Sequence, residues 1–408
     1  MKVLVIDEEF PYPLNTGKRI RTFNLINRLA GRHELIYLCR ENGLNPEMKS
    51  PILTQRVSSP IPRKSGPWFY IRLALNLTSR LPYVVSSHYS DDFEHETLRL
   101  AQAVDVVHCE WTPYAWSMRR LFPCPSVLVT HNVESQIWER YYKNENNPFK
   151  KFYIHQQWRK LTRFEKWACS QFSQITAVSN EDKKTLEQQY GAKDVTVVPN
   201  GVDVNYFMPQ ESDVRPYNMV FTGSMDWRPN QDAVVYFLDF IYPLIQKTLP
   251  EVSFTVVGRN PPEWLVAKGR TFRNVEFTGT VDDVRPYVAR GSVYIVPLRI
   301  GGGSRLKILE ALAMSKPVLS TTIGAEGLKV ENGKTIALAD EAKTFAKMAV
   351  AMLKNREKIA HLGKNGRDLV VRQYSWDSIA VILEKVWCKA ASLTPARQGC
   401  NTEPQLIC

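Results

Sequence analysis

The sequence predicts an α/β protein with two doubly wound domains. Short continuous apolar runs, typical of strands buried on both faces, alternate with helical segments. This alternation occurs in two series, one on each side of a polar, proline-containing stretch at 199–218. The chain has 408 residues, more than one domain usually contains, so two parallel sheets are expected rather than one.

The first series starts with the strand "MKVLVID", the helix "GKRIRTFNLINRLAG" and the strand "HELIYLC". The helix has apolar residues at helical spacing, and Gly31 is suited to its end. One long helix is expected over roughly 135–172. The later strands of this series are expected at 104–110, 125–132, 174–179 and 195–201.

The second series repeats the same alternation without a close sequence repeat. Its strands are expected at 218–224, 253–258, 274–279, 293–298, 317–321 and 334–339. Its helices are expected near 231–247, 283–291, 304–315, 341–354 and 355–373. The resulting division is a domain at 1–200, a domain at 201–373, a helix at 374–390 that packs back on the first domain, and an unstructured tail at 391–408.

Composition narrows the classes of protein that the chain can belong to. Hydrophobic residues make up 44% and charged residues 23%, which is ordinary for a globular protein, and the formal net charge is +12. Seven scattered cysteines with no C-x-x-C pair indicate reduced thiols, and Cys109, Cys124 and Cys169 are expected in the core. No zinc-finger, RNP-like or basic-heptad pattern supports nucleic acid as a partner. No signal peptide and no transmembrane helix are expected.

The stretch "LRIGGGSRLKILEALAMSKPVLST" at 298–321 carries the strongest chemical signal. It follows a predicted strand and opens a predicted helix, so the bare backbone at Gly301–Gly303 can present N–H groups to an anion. Arg305 and Lys307 suit a diphosphate, Ser304 suits the helix N-cap, and Glu310 suits the hydroxyls of a ribose. Glycines in a tight turn are the alternative explanation of this loop.

Eight stretches spread along residues 1–390 resemble one family in the same order. They are "PYPLNTGKRIRTFNL", "VTHNVES", "ITAVSNEDKKTL", "VVPNGVDVNYF", "FTGSMDWRPNQDAV", "VGRNPP", "VPLRIGGGSRLKILEALAMSKPVLSTTIGAEGL" and "YSWDSI". Together they resemble the retaining family 4 glycosyltransferases of GT-B fold, in particular the branch associated with bacterial exopolysaccharide assembly. The resemblance implies two Rossmann-like domains that face a central cleft.

The resemblance also implies a set of site residues. His131, Arg305 and Lys307 would act in catalysis, and Glu110 would contact the acceptor, unless it is only a capping or solvated acid. The residues implied in binding the nucleotide-sugar donor are Gly17, Gly223, Ser224, Gly302, Gly303, Ser304 and Glu310. No metal and no cofactor are expected, because the sequence shows no acidic metal cluster.

The sequence departs from the family pattern at two places. Many members have two glutamates separated by seven residues; the second corresponds to Glu310, but the first would fall at Gly302. Many members also have an Arg…Lys pair after the first strand of the second domain, where this chain has Ser224 and Pro229. The resemblance therefore implies that Arg305 and Lys307 replace the missing phosphate-binding charge.

Three further positions lie near the expected site. Asn230 suits either the N-cap of the following helix or a contact with the ligand. Glu134 suits the start of a helix, and "RNPP" suits a turn near the base of the nucleotide. The basic, aromatic stretches at 62–89 and 143–167 suit either binding to an anionic membrane surface or packed helices with a solvent-exposed basic face.

The expected function is transfer of a hexosyl unit from a nucleoside-diphosphate sugar to a glycan or lipid-linked acceptor in cell-surface polysaccharide synthesis, with retention. A sugar-nucleotide epimerase and a non-catalytic binding subunit of the same fold remain alternatives. The expected location is the cytoplasm, with peripheral attachment to the inner membrane face left open.

Overall fold

The computed structural model describes residues 1–14, 16–40, 52–57, 65–300 and 306–393. The chain forms two compact units. The first contains the residues up to Val198 and those from Ala380 on; the second is Pro199–Ile379. Each unit has its own hydrophobic core. No helix in the described ranges is both long and apolar enough to cross a membrane.

The first unit contains a seven-stranded sheet in which all paired strands are parallel. Its strands are β1 (Lys2–Ile6), β2 (Glu34–Arg40), β3 (Leu53–Val57), β4 (Val106–Cys109), β5 (Ser126–Val129), β6 (Gln174–Ala177) and β7 (Val195–Val197). The order is β3-β2-β1-β4-β5-β6-β7, so the direction of winding changes between β1 and β4. In such a sheet, ligands bind beyond the carboxyl ends of the strands at this switch point.

Helices cover this sheet, as its buried strands require. They are α1 (Gly17–Leu29), α2 (Pro67–Asn76), α3 (Tyr83–His88), α4 (Asp91–Ala101), α5 (Glu134–Asn144), α6 (Pro148–Gln171) and α7 (Asn180–Tyr190), with a 3-10 turn at Thr112–Met118. The expected single helix over 135–172 is wrong. Pro148 disfavours helical backbone at the residue before it, and Asn147 caps a new helix by accepting from the backbone N–H groups of Phe149 and Lys150.

The second unit contains a six-stranded sheet in which all paired strands are also parallel. Its strands are β8 (Asn218–Thr222), β9 (Ser253–Val257), β10 (Val275–Gly279), β11 (Val293–Val296), β12 (Val318–Ser320) and β13 (Ala337–Leu338). The order β10-β9-β8-β11-β12-β13 places the switch point between β8 and β11. The prediction of two doubly wound domains is therefore confirmed.

The helices of the second unit follow the same plan. They are α8 (Arg228–Tyr236), α9 (Tyr242–Thr248), α10 (Glu263–Arg270), α11 (Arg285–Arg290), α12 (Leu306–Ala313), α13 (Ala342–Lys354) and α14 (Arg356–Gln373), with a π turn at Phe237–Ile241 between α8 and α9. The last helix, α15 (Trp376–Ser392), starts in this unit, and its residues from Ala380 on belong to the first unit.

The predicted linker, 199–218, is bonded at its start to other residues of the second unit. Val202 is buried, forms a β-bridge with Ser375 and donates its backbone N–H to the carbonyl of Tyr374 at 2.8 Å. The predicted core positions of Cys109 and Cys169 are confirmed, whereas Cys124 is only partly buried. Most of the predicted tail, from residue 394 on, lies outside the described residues.

Candidate functional site

In the second unit, two neighbouring strands end on glycines whose backbones touch. Gly223 follows β8 and donates its N–H to the carbonyl of Val257 at 2.9 Å. Gly258 follows β9, and a Cβ atom added there would lie 1.8 Å from the carbonyl oxygen of Gly223. Only glycine permits this approach, which leaves bare backbone at the carboxyl edge of the sheet.

The ammonium of Lys307 lies beside this bare backbone. Lys307 is in the first turn of α12, and its Nζ donates to the side-chain oxygen of Asn230 at 2.7 Å. It also stands 4.2 Å from the ring centroid of Phe221, on β8. A Cβ atom added at Gly223 would lie 2.8 Å from Nζ, so the cation occupies the space next to the predicted donor-binding glycine.

Asn230 connects the lysine to the turn after β8. Helix α8 begins at Arg228, two residues earlier than Asn230, so the interpretation of Asn230 as the N-cap is wrong. Its side-chain amide instead donates to the carbonyl of Ser224 at 2.8 Å, while its oxygen accepts from Lys307. The residue is buried, and this pair of bonds fixes both the turn and the ammonium.

The hydroxyl of Ser224 belongs to a polar cluster at the same edge. It donates to Asp226 at 2.5 Å and accepts from Nε of Arg259 at 2.7 Å. Arg259 follows Gly258 in the predicted "RNPP" turn, and the sequence analysis did not single it out as a cation. Its place directly after β9, beyond the touching glycines, is the signal that could have identified it.

Glu310 lies one turn after Lys307 on α12. Burial raises the pKa of its carboxyl to about 7, against the opposing charge of Lys307. The carboxyl therefore changes charge near neutral pH. A buried carboxyl of this kind close to a cation is a candidate binding residue.

Four predicted residues of the glycine loop are Gly302, Gly303, Ser304 and Arg305. They lie outside the described residues, so their donor-binding and catalytic roles stay predictions. Within the described ranges, no three His, Cys, Asp or Glu side chains come together as metal ligands would. The expectation of no metal and no cofactor also stays a prediction.

In the first unit, Glu110 follows β4 and points into a buried network. One carboxylate oxygen accepts from the hydroxyl of Thr22 at 2.6 Å, and the other is 2.5 Å from Nε2 of His108. Its backbone N–H donates to the carbonyl of Ile6, at the end of β1. Glu110 is 2% exposed, so its interpretation as a solvated acid is wrong. Its predicted acceptor contact stays a prediction.

His131 meets this network after β5. Its Nε2 is 3.1 Å from Oε1 of Glu110, although the two atoms are not aligned as a hydrogen bond. Burial alone would raise the pKa of Glu110. Its interactions with His108 and His131 outweigh burial and hold that pKa well below its usual range. The structure thus brings together Glu110 and His131, which the sequence predicted separately.

An ion pair that the sequence analysis missed stands at the other strand of this switch point. Asp7 follows β1 and pairs with the ammonium of Lys18, while its second oxygen accepts from the hydroxyl of Tyr37 at 2.8 Å. Burial alone would lower the pKa of Lys18, but Asp7 outweighs it and raises that pKa. Gly17, the residue before Lys18, is the exposed first residue of α1, so its backbone is open at a helix start.

Glu134 is the first residue of α5, which confirms its interpretation as a helix-start acid. Glu165 on α6 caps the same helix start by accepting from the backbone N–H groups of Glu134 at 2.8 Å and Ser135 at 3.2 Å. Burial raises the pKa of Glu165 to about 7. The turn that contains His131 is therefore followed by a helix whose start is held from a second helix.

Both units match models of known families. Residues 17–206 match the family described as "Glycosyltransferase Family 4", and residues 216–355 match the family described as "Glycosyl transferases group 1". Together, the two matches span most of the chain.

Two curated relatives illustrate where similar chains occur. An uncharacterised 44.6 kDa protein in the cps region of Klebsiella pneumoniae is 22% identical over 387 residues, covering 91% of this chain and 96% of the relative. A GDP-mannose-dependent α-(1-6)-phosphatidylinositol monomannoside mannosyltransferase of Mycobacterium tuberculosis is 26% identical over 235 residues, covering 51% of this chain and 60% of the relative.

Solved structures share the fold. Sucrose-phosphate synthase from Thermosynechococcus elongatus is 17% identical with a TM-score of 0.72, and the match covers 96% of this chain and 100% of that one. Anabaena HepE, solved in complex with UDP and glucose, is 14% identical with a TM-score of 0.65, and the match covers 95% and 99% of the two chains.

Proposed function

The chain belongs to the glycosyltransferases of family 4 and group 1, and we propose that it transfers a hexosyl unit from a nucleoside-diphosphate sugar. The acceptor is a hydroxyl of a glycan or of a lipid-linked sugar, and the anomeric configuration is retained. The setting is the synthesis of a cell-surface polysaccharide, which the cps-region relative supports.

The observation that carries this proposal is the ammonium of Lys307 beside the bare backbone of Gly223. An ammonium at that edge suits the diphosphate of the donor, and Glu310, one turn further along α12, suits the ribose. When the bond to the sugar breaks, negative charge grows on the departing diphosphate. Lys307, together with Arg305 and the amides of the glycine loop, stabilises that charge. HepE, solved with UDP and glucose, supports a donor of this class.

On the first unit, we assign His131 to the transferred sugar and Glu110 to the orientation of His131. The assignment is supported by their contact at 3.1 Å and by the burial of Glu110, which leaves His131 as the more exposed of the two side chains. Gly17 is assigned to the donor phosphates, since it opens α1 and helix starts favour anions.

A lipid-linked acceptor implies contact with a membrane, and two helices of the first unit have suitable surfaces. On α2, Trp68 is 74% exposed and Leu75 is 66% exposed. At the start of α6, Phe149 is 85% exposed and is followed by Lys150. Exposed aromatic side chains together with basic residues, here Arg72 on α2 and Lys150 on α6, are typical of helices that bind an anionic membrane interface. We propose peripheral attachment to the inner face of the cytoplasmic membrane through these helices.

The experiment that tests the donor site compares Lys307→Met with Lys343→Met, an exposed lysine on α13 of the same unit. Each variant is titrated with UDP-glucose and with GDP-mannose by calorimetry. We expect Lys307→Met to weaken binding of the favoured donor about 10- to 100-fold, the cost of one charge-assisted contact, and Lys343→Met to leave it unchanged. Equal affinity in folded Lys307→Met and wild type would refute the assignment.

Analysis of the products after incubation with each donor, with and without acceptor, separates the alternatives. Donor that is isomerised without an acceptor would favour an epimerase. Donor that is bound but neither transferred nor isomerised would favour a non-catalytic subunit. Sugar that appears on a glycan or lipid acceptor, with its anomeric configuration read by NMR, is the expected result.

A further inference from the structure

Trp387, a buried tryptophan on the last helix, forms a hydrogen bond with His108, the histidine that contacts Glu110. Nε1 of Trp387 lies 2.9 Å from Nδ1 of His108, and both side chains are 0% exposed. The two rings meet edge to face, with centroids 5.6 Å apart and an interplanar angle of 89°. The other ring nitrogen of His108, Nε2, contacts Glu110 at 2.5 Å.

This geometry fixes the tautomer of His108. An indole nitrogen only donates hydrogen bonds, so Nδ1 of His108 must accept and carries no proton. The single ring proton is then on Nε2, which donates it to Glu110. If both ring nitrogens of His108 were protonated, the N–H group at Nδ1 would face the N–H group of Trp387. Two buried donors would then lack an acceptor, which is energetically costly. Trp387 therefore keeps His108 neutral.

A neutral His108 leaves the negative charge of Glu110 uncancelled. Thr22, the second hydrogen-bond donor to the carboxylate, is also neutral. The charged or titratable groups that interact with Glu110 from the surrounding elements include Asp7, Lys18, Arg21, Tyr37, His108, Cys109 and His131. Among them, His131 is the group in direct contact with the carboxylate oxygen that does not face His108.

The last helix is held firmly enough to act in this way. Glu384 accepts from Nε2 of His33 at 2.8 Å and pairs with Arg32 at 2.8 Å. Lys389 pairs with Asp194 near the end of the same helix. All of these residues belong to the first unit. The indole is thus anchored on both sides along the helix.

We propose that Trp387 and His108 are positioning residues. Trp387 holds His108 in its neutral Nε2–H tautomer, so the negative charge of Glu110 remains available to interact with His131. This inference extends the proposed function, in which His131 serves the transferred sugar. It assigns a role in transfer to a helix that contributes no residue to the predicted site.

The tautomer itself is measured on the wild-type protein without any substrate. Heteronuclear NMR of the histidine rings should show Nδ1 of His108 unprotonated and Nε2 protonated at about pH 7. A proton on Nδ1 in the wild type at about pH 7 would overturn the proposal. This readout needs no sugar transfer, so it stays decisive even if the proposed function is wrong.

The test of the positioning role uses Trp387→Phe, which keeps an aromatic ring and removes the donor. Nδ1 of His108 can then carry the ring proton, so Nε2 no longer always donates to Glu110, and the ring signals of His131 should shift. The matched control is Trp376→Phe, a buried tryptophan at the start of the same helix, about three turns before Trp387. Unchanged His131 signals in Trp387→Phe, or the same shift in the control, would contradict the inference.

Sugar transfer from UDP-glucose or GDP-mannose supplies a second readout. Trp387→Phe should lower kcat about 10-fold, with KM for the donor within about twofold. His108→Gln keeps an amide donor towards Glu110 and has no second tautomer, so Trp387→Phe should cost much less activity in that background. A purely structural role of Trp387 predicts the same loss in both backgrounds. If Trp387→Phe folds poorly, the tautomer of His108 in the wild type still decides the matter.

Discussion

The carboxyl of Glu310 makes donor binding depend on pH in a way that can be calculated. If the ionised carboxylate accepts hydrogen bonds from ribose hydroxyls, only the deprotonated form of the free protein binds the nucleotide well. Its pKa of about 7 means that about one-tenth of the molecules are ionised at about pH 6 and about nine-tenths at about pH 8. The affinity for the donor should therefore rise about tenfold between these pH values, which is about 1.4 kcal/mol.

The assay is calorimetric titration with the sugar nucleotide rather than with the free diphosphate. The terminal phosphate of a free nucleoside diphosphate gains a proton in this same pH range, whereas the diphosphate of UDP-glucose or GDP-mannose, which is esterified at both ends, does not. Protons released from Glu310 on binding should also make the measured heat depend on the buffer at about pH 6 and much less at about pH 8.

Glu310→Gln is the variant that isolates the effect. It should weaken binding about 10- to 100-fold at about pH 8, because a neutral amide replaces a charged acceptor, and it should remove the pH dependence. A 2′,3′-dideoxy donor should bind wild type and variant alike. The reasoning would be refuted by a pH-independent affinity in the wild type, or by equal weakening of the dideoxy donor in the variant.

Three further predictions concern stability and location. Glu165 keeps its proton up to about pH 7 in the folded state but releases it near pH 4.5 when the chain is unfolded. The free energy of unfolding of the first unit should therefore fall by about 3 kcal/mol as the pH rises through this window. Glu165→Gln should remove most of this pH dependence, measured by hydrogen exchange of α5. Gly258→Ala should cost about 3 kcal/mol in chemical denaturation because of the backbone clash, whereas Gly31→Ala, with ordinary contacts, should cost almost nothing. In vesicle sedimentation, the protein should bind anionic lipid well at low salt, weakly at high salt, and should not bind neutral lipid. Trp68→Ser should weaken this binding, whereas Trp264→Ser, which changes an exposed tryptophan of the second unit, should not.

The sheets were predictable because their strands are continuous apolar runs. Several elements with weaker patterns were not identified, among them β3, α4, α7 and α10. The edge strand β3, "LTQRV", has only two apolar residues, and its assignment depends on pairing with β2, which is not visible in the sequence. Helix α4 did have a local signal, since Ser90 is its N-cap and acidic residues fill its first turn, yet the surrounding basic and aromatic residues obscured it.

The site was only partly predictable, for a related reason. Residues such as Gly223 and Glu110 stand directly after strands, where the doubly wound plan makes ligand contacts probable from sequence alone. The partners of these residues come from distant parts of the chain: Thr22 and Trp387 reach Glu110 and its neighbour His108 from the first and last helices. No spacing rule connects such positions, so the buried network had to be found in the folded protein.

Lys307 brings a positive charge to the turn after β8 from a helix that starts far along the chain. The side chain extends from α12 to the end of β8, where any residue larger than glycine at position 223 would have its Cβ 2.8 Å from the ammonium. Asn230 accepts from the ammonium and holds the turn of Ser224, so the lysine is oriented rather than merely near. A larger side chain at 223 would displace the ammonium, and loss of Asn230 would leave it without this acceptor. Gly223, Asn230 and Lys307 therefore depend on one another. Substitution of any of the three should alter donor binding, because each change affects the ammonium of Lys307.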